Sequence, residues 1–149
     1  MTHAGGSATR TNTGAGRALI AVYGLFALAA TARASVQLAT RYSEAPLAYL
    51  LSAVAGVIYI VATVTLARGS RTSRQVAWVA IVIELVGVLT VGTLSLVEPA
   101  AFPRATVWSA YGIGYGFVPL VLPVLGLVWL ARTRPAPLTQ AGRRTPDGA

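Results

Sequence analysis

Four long apolar runs alternate with short polar breaks along this chain: about residues 18–40, 47–67, 75–97 and 106–131. The third, QVAWVAIVIELVGVLTVGTLSLV, is the most continuous. At about 1.5 Å per residue it measures ~35 Å, against a bilayer hydrocarbon core of roughly 30 Å. The breaks carry turn chemistry. RYSEAP (41–46) ends in a proline, tolerated in the first turn of a following helix. RGSRTSR (68–74) is a Gly/Ser/Arg loop, and the two prolines of EPAAFPRA (98–105) forbid a continuous helix. The pattern predicts an all-α membrane protein, a bundle of four transmembrane helices joined by short loops and antiparallel between neighbours. One domain, 17–132, holds the bundle. Polar tails, 1–16 and 133–149, are expected to be disordered.

The first run has a second reading. Arg10 and Arg17 resemble the basic region of a signal peptide, 18–30 its apolar stretch, and Ala32-Arg33-Ala34 a cleavage site. The long polar lead and the apolar sequence continuing through Val36, Leu38 and Ala39 favour a first transmembrane helix instead.

Composition sharpens this picture. Of 149 residues, 55% are hydrophobic and 11% charged, where a soluble domain has about a quarter charged. There is no cysteine and a single histidine, His3, so thiolate and histidine-cluster metal sites are excluded within one chain. No metal or cofactor is expected. The net charge of +8 comes from twelve arginines and no lysine. Those arginines flank the apolar runs instead of lining a basic face with interleaved aromatics, which argues against nucleic acid. Nine arginines fall on one side of a four-span arrangement and two, Arg41 and Arg104, on the other, with Glu44 and Glu98. By the positive-inside rule, both termini are expected to be cytoplasmic in a multi-pass plasma-membrane protein. Trp108 at the outer ends, and Trp78 and Trp129 at the inner ends, fit the aromatic belts of a bilayer.

Two charged side chains lie inside the runs. A carboxylate at the depth of Glu84 costs roughly 2.5–3.5 kcal/mol on insertion scales, so it is expected to face the bundle. Read at helical spacing, each run carries a stripe of polar and small residues: Tyr23, Phe26, Ala30, Arg33, Gln37 and Thr40; Tyr49, Ser52, Gly56, Tyr59 and Thr63; Ala80, Glu84, Gly87, Val91 and Ser95; Trp108, Tyr111, Tyr115 and Pro119. Such residues mark packed faces in lipid, so the stripes are expected to converge on the axis. Counting heights places Glu84 level with Tyr59, and Arg33 about 8 Å nearer the outer surface with Ser52, Tyr111 and Tyr115.

Glu84 reads either as a neutral carboxyl bonded to Tyr59 or a backbone carbonyl, locking the bundle, or as a proton- or cation-binding group on a transport path. No companion acid forms a relay. Arg33 reads either as snorkelling to the outer interface with Gln37, or as an anion or head-group contact with Tyr49, Tyr111 and Tyr115. In the fourth run, Gly112, Gly114 and Gly116 precede Pro119 and Pro123, so a kink is expected around Tyr115–Pro119. It shapes the bundle, or it breaks a helix at a substrate site.

The residues Arg33 with Ser35-Val36-Gln37-Leu38, Glu44-Ala45-Pro46-Leu47-Ala48-Tyr49, Glu84-Leu85-Val86-Gly87-Val88-Leu89, Val91-Gly92-Thr93-Leu94-Ser95-Leu96, Phe102-Pro103, Ala105-Thr106-Val107-Trp108-Ser109 and Gly114-Tyr115-Gly116-Phe117-Val118-Pro119-Leu120-Val121-Leu122-Pro123 resemble a family of uncharacterised small integral membrane proteins of actinobacteria. The resemblance covers about residues 18–131. It implies a four-helix membrane protein and assigns no activity.

No nucleophile elbow, P-loop, HExxH or dinucleotide fingerprint occurs, and one core acid cannot make a carboxylate pair. The expected function is non-enzymatic: binding a partner membrane protein, lipid or second copy through a polar stripe in the outer half of the bundle. The alternative is a small proton-coupled permease using Glu84.

Overall fold

Proline and glycine punctuate the chain at the places where its helices stop. A computed structural model describes residues 7–133, with side chains from residue 14 onward. Its elements are α1 (Ser7–Thr40), α2 (Pro46–Arg68), α3 (Arg71–Val97) and α4 (Val118–Arg132), with 3₁₀ turns at Tyr42–Glu44, Pro99–Ala101 and Ser109–Tyr115. No strand occurs among the described residues. Pro46 opens α2, where its missing N–H costs no helical bond. Gly69 closes it in the left-handed region (φ 65°), donating its N–H to the Thr65 carbonyl at 3.3 Å. The next residue, Ser70, caps α3 by accepting from the Ser73 N–H at 3.2 Å.

That cap corrects the sequence reading. The expected 68–74 loop contracts to Gly69 and Ser70, because a serine followed by helix-compatible residues begins a helix at once. A second correction falls at the start. α1 begins at Ser7, so residues 7–16 of the expected tail are helical. Once the apolar run has nucleated a helix, adding residues to its end is inexpensive. The rest of the expected tails, 1–6 and 134–149, lies outside the described residues.

The largest correction concerns the fourth run. It is not one helix over 106–131 but a 3₁₀ stretch, Ser109–Tyr115, and then α4, the two bent by 99°. Ala110 (φ 47°), Tyr111 (φ 61°), Gly112 (φ 82°), Gly116 (φ 63°) and Phe117 (φ 60°) all adopt positive φ. Three are not glycine, and the left-handed region costs such residues roughly 1–2 kcal/mol each, so the surroundings must hold them there. The expected kink is present at its expected place but is far sharper. Gly112 allows it: a Cβ there would lie 2.6 Å from the Pro119 ring. Pro123, by contrast, sits inside α4 without ending it.

Three helices are long and apolar enough to cross a membrane, over Gly14–Thr40, Pro46–Arg68 and Arg71–Val97. A fourth crossing exists only if the bent pair counts as one span. α4 alone, at 15 residues, is ~22 Å long and shorter than a ~30 Å core. The described surface carries Leu25, Leu28, Val57, Val86 and many other exposed apolar side chains, while Tyr23, Tyr49, Tyr59 and Glu84 are sealed within. An apolar surface around a few sealed polar groups is compatible with a lipid environment.

The helices form an open ring. α1 packs along α2, α2 against α3 and α3 against α4, whereas α4 touches α1 at few points. Small residues bring α1 and α2 together: Gly56 lies so close that a Cβ would sit 3.0 Å from the Thr31 hydroxyl. One end of the ring bears the 41–45 and 98–108 connections (the Glu44 end). The other bears the α2–α3 turn (the Arg68 end).

Candidate functional site

Two polar clusters occur, bridged by Phe26, whose ring packs edge-on against Tyr59 at 5.7 Å and Tyr115 at 5.9 Å. The first surrounds Glu84, which the third run's small-residue stripe turns inward. Its side chain is 0% exposed, and Oε2 accepts a hydrogen bond from the Tyr23 hydroxyl at 2.8 Å. Its other oxygen, Oε1, has no hydrogen-bond partner among the described residues. Tyr23 and Tyr59 stack obliquely with ring centroids 6.3 Å apart. Tyr59, one of the two partners expected for Glu84, does not bond it. Its hydroxyl accepts from the Trp108 indole N–H at 3.0 Å. A phenol carries its hydroxyl far from its own backbone, so Tyr23 on α1 reaches Glu84 from a different height.

Trp108 is a further correction. Expected in an interfacial belt, it is 3% exposed. The chain before the 3₁₀ stretch turns inward, with Thr106 and Val107 also buried, and lays the indole against Gly87, where a Cβ would be 2.7 Å from the ring. The glycine of the α3 stripe is thus the seat of a tryptophan. No sequence periodicity marks that pairing, since it joins a helix to an irregular segment.

The second cluster lies at the Glu44 end. Arg33 donates from Nη1 to the Tyr115 hydroxyl, and Tyr115 packs edge-on against Phe26 at 5.9 Å. Arg33 is exposed, not on the axis: the inward face of α1 runs Leu19, Tyr23, Ala27, Ala30, Ala34. From Arg33 onward the polar stripe therefore departs from the buried one. Arg33, Gln37, Thr40 and Arg41 instead border an open hollow of about 450 Å³ along α1, with Ala32 and Val36. Arg33 does not pair with Glu84; among the described residues the one ion pair is Arg104 with Glu44, at 3.4 Å and exposed.

The other residues expected beside Arg33 lie elsewhere. Tyr49 is buried and donates to Glu44 Oε2 at 3.4 Å. Tyr111 shares a 2.8 Å hydrogen bond with Thr93. With the Ser95 hydroxyl accepting from the Ala110 N–H at 2.8 Å, that bond holds the left-handed turn onto α3. Ser95 and Thr93 are functional to the fold here, and only Ser95 belonged to the expected stripe. Gly116 is exposed at the bend, whereas Pro119 and Pro123 are buried.

The side chain bonded to Glu84 is that of Tyr23, and no group of three metal-ligating side chains exists among the described residues. The site holds one carboxyl bonded to a buried phenol and one guanidinium bonded to a second phenol at the surface. Compared with family models, curated proteins and solved structures, the chain matches none.

Proposed function

We propose that this chain is a multi-pass plasma-membrane protein without enzymatic activity, its Arg68 end and both termini cytoplasmic. It binds an anionic group of a partner membrane protein or lipid at the Arg33 face of α1. The observation that carries this reading is Arg33 itself. It is exposed and steadied by Tyr115, with no acid paired to it among the described residues, beside a hollow it shares with Gln37, Thr40 and Arg41. A guanidinium so placed is costly in lipid unless something anionic meets it. The resemblance to small actinobacterial membrane proteins is consistent with this and supplies no role.

A photo-reactive residue placed at Val36 tests the reading in native membranes. Adducts are expected with Arg33 intact and lost in Arg33→Gln, their mass separating a lipid from a protein or a second copy. Adducts that are absent, or indifferent to Arg33→Gln, would refute it.

A permease using Glu84 is the second reading, favoured by the unpartnered Oε1. It needs water or substrate to reach a side chain that is 0% exposed here, so it requires a second conformation. Proton-driven flux into liposomes, present in wild type and lost in Glu84→Gln, would establish it; no flux in either removes it for the substrates tried.

A further inference from the structure

The ring of helices is open between α1 and α4. The opening is a crevice of about 730 Å³ walled by Ala18, Leu19 and Val22 on α1 and Val121, Leu125 and Trp129 on α4. It extends from Gly116 at the bend to Arg132 and Thr133 at the Arg68 end. That is the length of α4, ~22 Å, against ~15 Å for half a bilayer core.

Its two ends differ in chemistry. The walls are aliphatic nearly throughout. The mouth at the Arg68 end offers a donor, the exposed guanidinium of Arg132; the Trp129 indole packs on Gly16, where a Cβ would lie 2.7 Å from the ring, and its N–H is buried there. Arg74 lies 5.9 Å over the Trp129 ring, adding positive charge. No described acid balances it. Glu44 is engaged by Arg104, Glu98 follows the far end of α3, and Glu84 is sealed in the bundle. The Thr133 hydroxyl is already committed, donating to the Trp129 carbonyl at 2.7 Å.

An apolar slot with a cationic mouth complements an amphiphile of opposite polarity. We propose that the crevice binds one anionic phospholipid, an acyl chain lying between α1 and α4 and the phosphate meeting Arg132. Basic pockets at helix ends select anionic head groups, and each buried methylene adds to retention. A second copy in the same membrane orientation fits worse, because it would bring arginines to arginines at this end. The site is separate from the Arg33 face, at the opposite end of α1, so each can fail alone.

The test is native mass spectrometry of the detergent-purified chain, titrated with phosphatidylglycerol and with phosphatidylcholine of identical acyl chains. Wild type should retain phosphatidylglycerol preferentially. Arg132→Gln, an exposed change that leaves the fold alone, should cut that preference about fivefold, the effect of one basic residue near an anionic surface. Leu125→Trp, which fills the slot, should abolish retention of both lipids, while Leu28→Trp on an exposed face elsewhere should change nothing. Circular dichroism checks that each variant is folded; if Leu125→Trp is not, Arg132→Gln decides alone. Equal retention of the two head groups, preference unchanged in Arg132→Gln, undiminished binding in a folded Leu125→Trp, or a dimer that Leu125→Trp disperses would overturn the proposal.

Discussion

α1 is flanked by two seams made of different residues. Against α2 it meets Gly56 through Thr31 and Thr63 through Gly24, and at Gly56 the backbones close to where a single methyl would collide. Against α4 it faces Val118, Val121, Leu125 and Val128, and the seam stays open except where Trp129 covers Gly16. Lipid supplies no hydrophobic drive between helices, so close van der Waals approach must do the joining. Small residues permit that approach; branched and bulky ones hold the backbones apart. The same contrast separates the two polar clusters. Glu84 is sealed inside the bundle, whereas Arg33 stands on the outward side of α1, next to the buried Ala34, and is open.

The comparison can be broken most forcibly at Gly56. Gly56→Val puts a branched side chain 3.0 Å from the Thr31 hydroxyl and 3.3 Å from its backbone nitrogen, and backbone cannot yield. Overpacking of this kind costs about 1–3 kcal/mol, read as lowered stability to thermal unfolding in detergent. A comparable enlargement on the open seam, Val121→Leu, should stay within about 0.5 kcal/mol. Equal losses at the two sites would mean the seams do not differ as described.

Tyr23→Phe comes next. It strips Glu84 Oε2 of its donor while Oε1 already lacks one, leaving the acid without a hydrogen bond among the described residues. A buried group so orphaned costs about 1–3 kcal/mol. Glu84→Gln in the Tyr23→Phe background should recover less than Glu84→Leu, because an amide still needs partners and leucine does not. Thermal unfolding of the three variants checks the order.

Ser95→Ala should cost about 0.5–1.5 kcal/mol by removing the acceptor of the Ala110 N–H. Its signature is local: faster hydrogen exchange through residues 109–117, with α1 and α2 unchanged. Arg74→Gln should have the smallest effect, about 0.5–1 kcal/mol. Arg74 Nη2 donates to the Leu130 carbonyl at 2.8 Å, so the last turn of α4 should fray while the bend stays protected. Exchange that spread evenly over α4 in both variants would show that the bend and the helix end are one cooperative unit.

Much of the fold was legible because it is local. Pro46, Gly69 and the apolar runs set α2 and α3 to within a few residues, since capping and periodicity act over a single turn. Glu84 was readable as inward-facing because exposing a carboxyl to lipid is expensive wherever its partners are. The identity of those partners was not legible: Tyr23 is 61 residues from Glu84, and Trp108 is 49 from Tyr59. Nothing in either neighbourhood announces the other. Arg33 was misplaced for the complementary reason. Its spacing fits the stripe begun by Tyr23, yet the buried face runs through Ala30 and Ala34, and which of two nearby stripes faces inward depends on how α1 lies across α2.

The sequence by itself determined where apolar helices can exist and which side chains lipid would refuse. Those follow from backbone hydrogen bonding and transfer energies that each segment carries alone. Only the tertiary structure decided that residues 109–117 fold back in left-handed conformations instead of extending α4. Ser95, Thr93 and Gly87 reward that geometry through contacts with Ala110, Tyr111 and Trp108, and no isolated segment can hold strain that its neighbours must offset.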